Sequence, residues 1–194
     1  MRAFVAIPLP EAAYPALDEL LAALPADRWR AAAPASRHLT LRFLGEVPPA
    51  AALTLGARLA PRLATMPVFS LELTGLGAFP QVRRPEVLWA GCGPVGAAGL
   101  RAVAAVVAEA AGGLGAASPP FRPHLTVARR RRGGAADLAA ADARRLCAQH
   151  AGRRWGGLEV SGVVVYSSVL GPGGPRHTPI VRLPLAPKAT DHIP

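Results

Sequence analysis

Two short stretches of this chain carry the same pattern: His38-Leu39-Thr40-Leu41 and His124-Leu125-Thr126-Val127. Each sets a histidine and a threonine two residues apart, with apolar residues between and after them. Side chains alternate across a β-strand with period two. In a strand, the Leu and Val residues would pack one face while the other presents an imidazole beside a hydroxyl. Imidazole exchanges a proton near neutral pH, and a hydroxyl can donate to an oxygen on which negative charge builds. Two such strands facing one cleft would surround a substrate with two proton-transfer groups and two hydroxyls. That is the equipment for breaking a phosphoester without a metal.

With 5 His among 194 residues and about half the positions apolar, roughly 0.1 chance matches to His-x-Thr-apolar are expected. A single copy would read as a strand-end or core histidine, but the repetition favours the chemical reading. The flanks agree: Arg37 and Arg42 bracket the first copy, Arg122 and Arg129 the second.

Net charge is +10, from 22 basic and 12 acidic residues, and every basic residue is Arg except Lys188. A GC-rich genome explains Arg over Lys but not the excess of bases over acids. That excess favours a phosphate-bearing partner, and the guanidinium grips phosphate through two hydrogen bonds at once. Cys92 and Cys147 are far apart, fit no zinc or disulfide pattern, and read as small apolar residues rather than reactive thiols. No ligand cluster suggests a metal or another cofactor. Pro, Gly or a charge interrupts each apolar stretch before the ~18 residues of a membrane span. Residues 1–8 break at Pro8, too soon for a signal peptide. The expectation is a cytoplasmic monomer.

The elements that must position the motifs follow from periodicity. A strand is predicted over residues 2–8, then a helix from Pro10-Glu11 to about Leu24, or from Pro15, with Leu17, Leu20, Leu21 and Leu24 on one stripe. The first motif strand covers 38–44, followed by a helix at 49–63. Strands at 68–76 and 86–91 precede a helix at 95–111 that stops at Gly112-Gly113. The second motif strand covers 124–130. A helix at 135–150, a strand at 158–169, a Gly/Pro turn at 171–175 and a strand at 177–185 complete the chain. Helix-strand-helix-strand-strand thus occurs in both halves, each with its own motif. The fold class is α+β: two pseudo-symmetric lobes of duplicated helix/strand units, mostly antiparallel, flanking a central cleft. Residues 1–187 form one bilobal domain, and 188–194 read as a frayed tail.

On these residues the chain resembles the 2H phosphoesterase superfamily, and most closely its LigT-like RNA 2′,3′-cyclic phosphodiesterases, also described as 2′-5′ RNA ligases. Arg2–Pro10 is similar to the family's first strand, and His38-Leu39-Thr40-Leu41-Arg42-Phe43-Leu44-Gly45-Glu46-Val47 to its first motif. Pro123-His124-Leu125-Thr126-Val127-Ala128-Arg129 is similar to the second motif, and Ser168–Gly174 with Thr178-Pro179 to the C-terminal hairpin. Two positions depart: Ser36-Arg37 stand where the family usually has Asn nearby, and His177 stands where its hairpin usually carries Tyr.

The resemblance implies metal-independent hydrolysis of an RNA 2′,3′-cyclic phosphate end to a 2′-phosphate, with His124 as base and His38 as acid. The residues alone leave those roles open. Thr40 and Thr126 would donate to the non-bridging oxygens. Strict alternation puts Arg130 on the face of His124 and Thr126, whereas the family register makes Arg129 the phosphate contact; a bulge would reconcile them. Arg42 falls on the face of Thr40. Phe43 alternates away into the core, or stacks on a base if the strand ends early. The partner is an RNA end or a small cyclic nucleotide, with no membrane. Reversible 2′-5′ ligation and non-catalytic RNA-end binding are the alternatives. Gly171–Gly174 reads as a tight turn rather than a phosphate cradle, His150 and His192 as surface residues, and Trp89 as core.

Overall fold

The computed structural model describes residues 1–10, 14–115, 120–171 and 174–187. Glu11 at the expected helix start, the 116–119 linker, Pro172-Gly173 of the turn, and the tail with Lys188 and His192 lie outside the described residues.

The chain runs β1 (Arg2–Pro8), α1 (Pro15–Ala22), β2 (Trp29–Ala31), β3 (His38–Glu46), α2 (Pro49–Leu63), β4 (Phe69–Gln81), β5 (Arg84–Cys92), α3 (Ala97–Ala111), β6 (His124–Arg130), α4 (Ala136–Gln149), β7 (Arg154–Val160), β8 (Gly162–Gly171) and β9 (Gly174–Pro184). Among the described residues the strands form one antiparallel sheet ordered β7-β4-β5-β6-β3-β1-β8-β9, with β2 added beside β6. The protein is α+β, as the patterning predicts.

Ala3, Val5 and Ile7 of β1 enter the apolar core together with Leu39 and Leu41 of β3 and Leu125 and Val127 of β6. α2 buries Ala52, Leu55, Gly56, Leu59 and Leu63, a stripe at helical spacing. It packs on β8 and β9, while α4 packs on β4 and β5 and α3 contacts α2, β3 and β4. Gly56 makes this a tight contact: a Cβ would stand 3.0–3.3 Å from the Val181 side chain. With the helices on these strands, the polar face of the motif strands is left to a cleft that none of α1 to α4 lines among the described residues.

The two halves of the sheet are not the two halves of the sequence. β3-β1-β8-β9 draws on both ends of the chain, whereas β7-β4-β5-β6 is built from residues 69–160. The cause is a strand that the pattern shows as one. The apolar run expected at 158–169 divides at Ser161, with β7 pairing β4 and β8 crossing to pair β1 and β9. β2 is too short to carry a periodic signal, yet its Trp29 is buried and Arg30 pairs with Arg129.

No described helix is long and apolar enough to cross a membrane.

Candidate active site

β3 and β6 touch through the single register pair Leu39–Leu125. With both leucines in the core, the neighbouring positions turn to the other face. His38, Thr40, His124 and Thr126 all line one cleft of about 790 Å³, a volume within the roughly 300–1,000 Å³ of small-ligand sites.

Both histidines are held alike. His38 Nδ1 lies 2.8 Å from the carbonyl of Ser36, and His124 Nδ1 lies 2.7 Å from that of Arg122, the residue two before in each case. Since a carbonyl only accepts, each Nδ1 carries the hydrogen and donates it. In the neutral ring this leaves Nε2 with the free lone pair.

Aromatic walls complete the seats. Phe4 lies 4.8 Å from the His38 ring and stacks on Tyr166 at 5.1 Å. Phe79 meets His124 edge-on at 4.8 Å and leans on Trp89 at 5.3 Å. Burial is the main cause of low histidine pKa values here. It pushes His38 down to about 4 against the opposing Ser36 bond, with His177, Arg129 and His124 adding to the shift. His124 is lowered by burial first and by Arg129, with its Arg122 bond opposing. Both shifts favour the neutral ring.

Strict alternation fails one residue after each threonine. β1 pairs Ala6 with Thr40 but Val5 with Arg42, making Leu41 an extra residue in β3. β5 pairs Trp89 with Thr126 but Leu88 with Ala128, making Val127 extra in β6. Such bulges turn the following residues over. Phe43 therefore joins the cleft, 60% exposed, instead of the core. Arg42 leaves the cleft, its Nε buried. Arg129 lines the cleft with His124. Arg130, which alternation placed there, instead bonds Glu86 at 2.6 Å. Arg37 is also turned inward: its buried guanidinium pairs with Asp18 of α1.

Sequence reasoning missed Phe4, Phe79, His177 and Arg30, which also line the cleft. Only His177 gave a signal, as a departure from the family pattern; its ring meets His38 edge-on at 5.1 Å. Trp89 is not a core residue. It is half-buried behind Phe79, and its indole occupies the space that a Cβ on Gly77 would need. His150 is half-buried against Trp155 rather than on the open surface. Gly171 pairs with Gly174 to close the β8–β9 hairpin.

Cys92 and Cys147 are half-buried, and burial raises both thiols, Cys92 to about 12; neither favours the thiolate. Among the described residues no cluster of three metal-ligating side chains occurs. The chemistry on offer is proton transfer beside an anion: two imidazoles, two hydroxyls and Arg129.

Known proteins share this architecture. A protein from Aeropyrum pernix, named an RNA 2′,3′-cyclic phosphodiesterase, is 38% identical over 71% of this chain and 76% of its own length. A Thermus thermophilus protein of the same name is 36% identical over 95% of this chain and 90% of its own. A crystal structure of a Thermus thermophilus protein superposes with a TM-score of 0.74 at 31% identity, covering 97% of this chain and all of that one. The family model described as the 2′-5′ RNA ligase superfamily matches residues 9–167. The chain belongs to the 2′-5′ RNA ligase superfamily.

Proposed function

We propose that this protein hydrolyses 2′,3′-cyclic phosphate ends of RNA to 2′-phosphates, using His38 and His124 and no metal. The observation that carries the reading is the matched seating of the two imidazoles, each with Nδ1 on the carbonyl two residues before it and Nε2 free in one cleft. The names of the two relatives point the same way.

Water attacks phosphorus on the side opposite the 3′-oxygen. His124 Nε2 takes the water's proton as the new P–O bond forms. The P–O3′ bond breaks, and His38 Nε2 protonates the departing 3′-oxygen. The products are a 2′-phosphomonoester and a free 3′-hydroxyl. The assignment of His124 as base and His38 as acid follows the family resemblance. To act as the acid, His38 takes up a proton from solvent at Nε2 as the cyclic phosphate arrives, because the anion's charge raises the ring's pKa from its low value in the empty cleft. Thr40 and Thr126 donate to the non-bridging oxygens, where charge gathers. Arg129 balances the phosphate's charge, and Phe43 offers a ring for the terminal base. A 5′-hydroxyl attacking in place of water would join the cyclic end to a second chain through a 2′-5′ linkage, but hydrolysis prevails in water.

The test is an oligoribonucleotide ending in 2′,3′-cyclic phosphate, incubated with the protein and a chelator. A 2′-phosphate end is expected; an unchanged end or a 3′-phosphate overturns the reading. His38→Ala and His124→Ala should each lower kcat by about 10²–10⁴-fold while the far-UV spectrum is retained. Near wild-type turnover in both would remove the acid/base assignment.

A further inference from the structure

Arg30 and Arg129 are register partners across β2 and β6, and both line the cleft. The Arg30 guanidinium lies against the β8–β9 hairpin, where a Cβ on Gly174 would stand 3.5 Å from both of its terminal nitrogens. Gly174 has φ +109°, a backbone conformation that favours a residue without a side chain. Three other arginines near the motifs are neutralised, Arg28 by Asp27 and Asp142, Arg37 by Asp18 and Arg130 by Glu86, while Arg2 lines the cleft from β1. Among the described residues, neither Arg30 nor Arg129 has a carboxylate partner, and no Asp or Glu lines the cleft. Arg129 is also held below the ordinary arginine pKa, by burial first and by Arg30 second.

Two cations in register repel one another unless an anion sits between or beside them. The reacting cyclic phosphodiester carries a single negative charge, and the hydroxyls, the imidazoles and Arg129 already surround it, which leaves Arg30 for another anion. The next negative charge covalently attached to such a substrate is the phosphodiester on the 5′ side of the terminal nucleotide.

We propose that Arg30, beside Arg129, forms a second anion subsite that binds this preceding phosphodiester, so that the protein favours RNA chains over cyclic mononucleotides. This rests on the cyclic-phosphate reading above. Guanidinium is suited to the task because it can grip two phosphate oxygens at once.

The experiment compares two dinucleotides that end in 2′,3′-cyclic phosphate, one with a natural internal phosphodiester and one with an uncharged methylphosphonate. For the wild-type protein, kcat/KM should fall by about tenfold on the neutral linkage. In Arg30→Ala and Arg30→Gln that difference should shrink to about twofold or less. Two substitutions are used so that a folding defect in one does not decide the outcome. Equal rates of the wild-type protein on the two linkages would overturn the subsite. So would a full difference surviving in both variants. If the wild-type protein turns over neither dinucleotide, the cyclic-phosphate reading itself fails, and the subsite goes with it.

Discussion

Phe43 and Arg129 stand at equivalent steps, each five residues after a motif histidine and each brought into the cleft by the bulge that follows the threonine. One copy of the motif thus adds a ring and the other a cation, so a repeated pattern builds an unsymmetrical site. The histidines and threonines are legible in the sequence because alternation is undisturbed from His38 to Thr40 and from His124 to Thr126. Beyond the threonines it fails, since a bulge depends on the neighbouring strand and leaves no mark in composition. His38 also makes a prediction about stability. Its folded-state pKa, about 4, lies below the ordinary 6.5, so between those values the unfolded chain binds more protons. The stabilisation is fully present above pH 6.5 and is lost as pH falls towards 4, amounting to about 3 kcal/mol at the limit. His124 and His177 shift in the same direction, both mainly through burial. Urea midpoints taken from pH 7.5 to pH 4 should therefore fall more steeply for the wild-type protein than for His38→Ala. Parallel slopes would show that the ring titrates normally in the fold.

Secondary elements hold these side chains through contacts that the local sequence does not announce. α1 is tied to the start of β3 by the pair between Asp18 and the buried Arg37, one residue from Ser36, whose carbonyl holds His38. Removing the carboxylate leaves a buried charge with less compensation, although Asp18 itself is 41% exposed. Asp18→Asn should cost about 1–3 kcal/mol and lower kcat as the Ser36–His38 segment loosens, read by thermal melting and steady-state kinetics together. A loss of stability with kcat untouched would confine Arg37 to the scaffold. On the other side, β4 extends to Gln81 rather than ending near Leu76, and this extension delivers Phe79 to His124. Within it, Gly77 makes room for the Trp89 indole behind Phe79. A methyl group there must displace the indole, so Gly77→Ala should destabilise by about 1–3 kcal/mol and reduce activity through His124. Wild-type stability and turnover in this variant would mean that the aromatic wall tolerates repacking. The sequence pattern shortens this strand for a physical reason: Gly77, Ala78 and Pro80 carry little alternating signal, and cross-strand pairing with β5 holds them in the sheet.

For the whole molecule, the order of elements follows from periodicity, while their partition between the two halves of the sheet does not. The chain passes from one half to the other near Met66 and again at Ser161, and β2 reaches across to add an edge beside β6. α3 contacts α2 and β3 on one side and β4 on the other, so apolar packing continues over the join at Leu39–Leu125, and a single core cluster spans both halves. Halves sharing one core have no separate melting units to fall into. The three tryptophans allow a direct test, because Trp29, Trp89 and Trp155 lie in β2, β5 and β7, all on the β6 side of the sheet, whereas far-UV circular dichroism reports every element. Denaturation followed by tryptophan fluorescence and by circular dichroism should give coincident transitions with one midpoint. A fluorescence transition that precedes or trails the loss of secondary structure would instead show that the segment from β4 to β7 unfolds on its own, and that the cleft lies between two domains rather than within one.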